Sequence, residues 1–102
     1  MQNDTSSENV ELSSVIVPSA QAEEYENELR TQLVPNYERA AGLISLHVLR
    51  RPLSNAFVEI VIVSIWQTGQ ALREFVSYRS ISECSANGII RLGARTYEVM
   101  DV

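Results

Sequence analysis

The densest apolar run in the chain is Phe57 to Trp66. Val58, Ile60, Val61, Ile62, Val63 and Ile65 leave almost no face that tolerates solvent, which predicts a strand covered on both sides. The pattern changes period directly after Trp66. Thr68 stands where a helix N-cap is expected, and Leu72, Phe75 and Val76 follow at helical spacing, predicting a helix from about Gly69 to about Arg79. Upstream, Val10 to Val17 reads as a first strand ended by Pro18. Ser19 is a candidate cap for a helix whose apolar stripe is Ala22, Tyr25, Leu29 and Leu33, with Glu23 and Glu24 in its first turn. Pro35 must break or kink that helix. Asn36 to Ala41 reads as a short turn, and Gly42 as a C-cap.

Leu43 to Arg50 and Ala56 to Trp66 then form an antiparallel hairpin through Arg51 to Asn55. Ser80 to Glu83 matches a capping box, predicting a short further helix ending near Gly88, and Ala94 to Met100 reads as the last strand. The order β-α-β-β-α-β is the split βαβ, or ferredoxin-like, arrangement: an α+β fold with a four-stranded antiparallel sheet and both main helices on one face. In the hairpin, Leu43, Ser45, His47 and Leu49 share one face and Ile44, Leu46 and Val48 the other. Phe57, Glu59, Val61, Val63 and Ile65 oppose Val58, Ile60, Ile62, Ser64 and Trp66. Neither face suits water, so the side without helices is expected to be covered by a second copy, giving a homodimer.

Composition narrows the chemistry. The 102 residues suit one domain, expected over residues 10–102 behind a polar, disordered tail of residues 1–9. Thirteen acidic against eight basic residues give a net charge of −5, which disfavours nucleic acid as a partner. Every basic residue is Arg, so Schiff-base chemistry and a phosphate-loop lysine are excluded. A single Cys and a single His exclude a disulfide framework and the usual zinc ligand sets, so no metal is expected. With neither a signal-peptide pattern nor an apolar run of membrane-spanning length, the chain is expected to be cytoplasmic and free of the membrane.

The run Ser64-Ile65-Trp66-Gln67-Thr68-Gly69-Gln70-Ala71-Leu72 resembles the W-x-S-x-E-A-L segment of the antibiotic biosynthesis monooxygenase-like family of dimeric α+β barrels. Ala41 to Arg50 is similar to that family's P-G-F-x-x-x-x-V-L-R strand, and Tyr97-Glu98-Val99 to its last strand. The likeness spans Val10 to Val102. It implies a dimeric barrel and, from members that form quinones without a cofactor, a small aromatic or quinol ligand. Haem-degrading members carry a ligating His in the helix after the Trp; here that stretch is Phe75-Val76-Ser77-Tyr78-Arg79, so the resemblance implies no haem and no other cofactor. Quinone-forming members surround a polycyclic phenol with Asn, Trp, Tyr and Arg. Trp66 is present, but Ile62 and Leu72 beside it cannot donate a hydrogen bond.

Trp66 is the first candidate for a ligand-binding residue, as a pocket wall that stacks on an aromatic ring, against the plainer role of capping the core. Tyr25, Tyr78 and Arg79 are candidate polar partners from the two helices, against a core stripe and a solvated helix end. If the hairpin pairs Arg50 with Ala56, His47 lies opposite Glu59, as a base with its orienting carboxylate or as a cross-strand charge pair. Cys84 reads as a buried inert thiol and Arg50-Arg51 as a solvated hairpin end. Two functions stay open: a cofactor-independent oxygenase acting on an aromatic or quinol substrate, and a non-catalytic dimeric barrel that binds a small apolar molecule or serves as an accessory domain.

Overall fold

The computed structural model describes residues 8–79 and 89–100. Four strands, β1 (Val10–Pro18), β2 (Leu43–Pro52), β3 (Phe57–Trp66) and β4 (Ile90–Tyr97), form one antiparallel sheet in the order β2-β3-β1-β4. This is the ferredoxin-like arrangement, with the two most apolar strands in the centre. Helices α1 (Ala22–Glu28), α2 (Val34–Glu38) and α3 (Gly69–Arg79) supply Ala22, Tyr25, Leu29, Tyr37, Leu72 and Phe75 to a core completed by Val17, Val58, Ile60, Ile62 and Trp66. The predicted stripe on the first helix and the predicted face of β3 therefore meet. The further helix expected from Ser80, and Cys84 within it, lie outside the described residues. None of the described helices is long and apolar enough to cross a membrane.

Pro35 does not end the first helical stretch. Leu29–Leu33 forms a widened π turn in which the Val34 N–H reaches back to the Leu29 carbonyl, and the path continues into α2 with Pro35 in its first turn. The widened turn lies directly ahead of Pro35, where the missing N–H and the ring would disrupt a regular i→i−4 ladder. Ser19 makes no side-chain cap; it opens a 3₁₀ turn, and its N–H donates to the Ala56 carbonyl at 2.8 Å. Gly42 is not the helix cap either, because α2 closes at Arg39. It is the left-handed residue (φ 91°) of the turn into β2. Its carbonyl accepts the Gln67 N–H at 2.7 Å, and a Cβ there would stand 2.7 Å from that of Ala71.

The hairpin register differs from the expected one. Both strands run on until Pro52 faces Val58, leaving a loop of Leu53 to Ala56. His47 therefore faces Val63, and Glu59 faces Arg51, whose Nε lies 2.6 Å from its carboxylate. The His47–Glu59 pair does not form. An irregularity at Ile44 also sets Leu43 opposite Trp66, on the helix side, rather than with Ser45. β4 begins at Ile90 and ends at Tyr97, earlier at both ends than the expected Ala94 to Met100, and Gly93 (φ 89°) sits where its register against β1 shifts. At the other end of the chain, Glu8 and Asn9, expected in the tail, are tied to the sheet. Glu8 accepts the Thr96 hydroxyl hydrogen bond, and Asn9 brackets Trp66.

Candidate functional site

The junction of β3 and α3 is the most elaborate part of the helix-side layer. Alternation along β3 turns Ser64 and Trp66 inward with Val58, Ile60 and Ile62, and all of these are buried. The Trp66 indole N–H donates to Ser64 Oγ at 2.9 Å. Its ring lies 4.9 Å from that of Phe75 at 37°, and Tyr37 meets the Phe75 ring at 4.6 Å and 43°, both tilted aromatic contacts. Asn9 closes the end of the strand: its carbonyl takes the Trp66 N–H and its amide donates to the Trp66 carbonyl, at 2.9 and 2.8 Å. Thr68 caps α3 as expected, its hydroxyl accepting the Ala71 N–H at 3.0 Å.

The candidate residues are divided between the two faces of the sheet. Trp66 (0% exposed) and Tyr25 are buried on the helix side. Tyr78 and Arg79 belong to the last turn of α3, and their side chains lie outside the described ones. His47 and Glu59 lie on the opposite face, alongside Val61, Val63 and Ile65 of β3 and Leu12 and Ile16 of β1. The backbone therefore brings Trp66, Tyr25 and the end of α3 to one side and excludes His47 and Glu59 from it.

Four residues at the junction were not singled out from the sequence: Asn9, Tyr37, Ser64 and Glu11. Glu11 is the most informative. It is 2% exposed, stands directly opposite Ser64 across the β1–β3 pair, and shares the helix-side row with it. An acid at the same strand parity as Val15 and Val17 is a readable signal once the faces of the first strand are assigned. Elsewhere, Glu23, Glu24, Glu26, Asn27 and Arg30 line an open surface hollow of about 500 Å³ on the first helix. Glu26 there pairs with Arg50 at 2.7 Å.

Haem ligation of the kind the resemblance brings into view has no donor here. The sole histidine, His47, lies on the far face of the sheet, and α3 contains none. Among the described residues, no group of three or more His, Cys, Asp or Glu side chains is placed to hold a metal ion.

No protein-family model matches the chain, and no curated protein matches it by sequence. Solved structures do match it. A Bacillus cereus protein assigned to the antibiotic biosynthesis monooxygenases covers 91% of this chain and 95% of its own, at TM-score 0.61 and 12% identity. The haem degrader MhuD of Mycobacterium tuberculosis, solved with two haems in its active site, covers 91% and 97% at TM-score 0.59 and 20% identity. SnoaB of Streptomyces nogalater, a cofactor-independent oxygenase, covers 93% and 96% at TM-score 0.58 and 11% identity. Over at least 91% of its length, the chain has the α+β fold of the antibiotic biosynthesis monooxygenase-like proteins.

Proposed function

We propose that the chain is an antibiotic biosynthesis monooxygenase-like protein that works as a homodimer and oxidises an aromatic or quinol substrate without a cofactor, at the junction of β3 and α3. One observation carries the reading: Trp66, Phe75 and Tyr37 form a continuous aromatic layer beside the buried hydroxyl of Ser64 and the half-buried amide of Asn9. A planar ring displaces Phe75 from the indole face and stacks there in its place. Tyr25, Tyr78 and Arg79 are its polar partners. In such chemistry the ionised ring reduces dioxygen itself. A C–O bond forms at a ring CH₂ or CH carbon, the O–O bond breaks with loss of water, and the ring is left as a quinone. The protein has only to exclude water and hold the ring oxygens.

A second reading, the non-catalytic barrel, is favoured by one feature: Trp66 is fully covered by its neighbours. Tryptophan emission separates the two, because Trp66 is the only tryptophan. Polycyclic phenols should quench it saturably and be converted with uptake of oxygen. Saturable quenching with no oxygen uptake leaves a binding protein, and no quenching by any member of the panel removes the ligand site as well.

A further inference from the structure

The face of the sheet opposite the helices carries the chain's one histidine in an apolar setting. Across the strands, one row of that face reads His47, Val63, Leu12, Arg95. Leu49, paired with Val61, follows on one side of His47, and Ser45, paired with Ile65, on the other. Strands of 8 to 10 residues make up this face. At roughly 3.3 Å per residue and 4.8 Å between strands it measures roughly 550 Å². A second copy seated on it buries on the order of 1,200 Å² in total once side-chain relief is counted, the size of a specific interface.

Closing two such faces takes His47, exposed in the single chain, out of water. A neutral imidazole tolerates that; an imidazolium does so only with a counter-charge. Glu59 is the only carboxylate that the four strands carry on this face. It lies four residues from Val63 along β3, roughly 13 Å away, and Arg51 already holds it at 2.6 Å. Arg95, at the far end of the histidine's own row, adds positive charge. No helix among the described residues packs on this side to supply another group. A second copy brings the same set, so protonated histidines would be buried among like charges.

We propose that His47 makes the assembly pH-sensitive: the dimer closes while the imidazole is neutral and loosens when it is protonated. The proposal rests on the homodimer proposed above and adds its regulation. Histidine is the one side chain that ordinarily changes charge between pH 5 and 8. Free copies then bind protons that the closed dimer gives up, so the dissociation constant rises as pH falls.

Sedimentation of the full chain over a concentration series, at pH 7.5 and 5.5 and fixed ionic strength, tests this, with far-UV dichroism checking that the fold persists at both. Wild type should dissociate about tenfold or more more readily at pH 5.5, and His47→Gln should show no such change. His47→Asn serves as a second neutral variant should the first fail to fold. A wild-type dimer of equal affinity at the two pH values overturns the proposal and leaves the homodimer standing. Tighter association at pH 5.5 overturns it as well, because His47 would then meet a carboxylate across the interface. The same pH dependence in a folded neutral variant assigns the effect to another group and overturns it. A wild-type monomer at pH 7.5 throughout the series removes both the homodimer and this proposal.

Discussion

Gly42 carries two constraints at once, a left-handed backbone and contact distance to Ala71 of α3. Gly42→Ala should cost about 2 kcal/mol from backbone strain and overlap together, lowering Tm by roughly 10 °C in a thermal melt. A melt unchanged within error would show that the turn into β2 can relax freely. Ser64 is the second such position. Ser64→Ala leaves the Trp66 indole N–H buried without its acceptor, at a cost of about 1–3 kcal/mol, and should shift the tryptophan emission. The sequence singled out Trp66, Thr68 and the Tyr25 stripe because each follows from period or capping chemistry. Neither Asn9 nor Tyr37 could be read in this way, because long-range contacts place them: the half-buried Asn9 reaches Trp66 across the β1–β3 pair, and the buried Tyr37 stacks on Phe75 of α3.

At the scale of elements, β3 and α3 were legible with nearly correct bounds, since a strand without a polar face running into a capped amphipathic helix admits few alternatives. The hairpin register was not. The expected pairing of His47 with Glu59 and the observed pairing of Glu59 with Arg51 differ by an even number of residues, so every side chain of β3 keeps its face and the alternation cannot distinguish them. The deciding feature is the tight loop Leu53 to Ala56, closed by the Leu53 and Ser54 N–H groups on the Phe57 carbonyl. α3 depends on its cap and on Leu72, which is buried. Thr68→Ala should cost about 1 kcal/mol and Leu72→Ala about 3 kcal/mol in denaturant unfolding. An equal cost for the two would mean that α3 is held by its end and not by its packed face.

For the whole molecule, the sheet's second face decides assembly. Val61, Val63 and Ile65 lie there with Leu49, Leu12 and Ile16, and in the described residues no helix covers them. Under the proposed homodimer, sedimentation at micromolar concentration should give about twice 11.4 kDa. Val63→Asp should yield a monomer while leaving the helix-side core intact. A wild-type monomer that stays soluble would contradict the assembly. The oxidation chemistry proposed for the β3–α3 junction is tested most directly by an oxygen electrode. With a polycyclic phenol, wild type should consume one dioxygen for each quinone formed, and Trp66→Phe should slow that uptake about tenfold or more through loss of the stacking surface and its ordered indole. Uptake no faster than the uncatalysed background, or equal uptake by wild type and a folded Trp66→Phe protein, would contradict a catalytic site at Trp66.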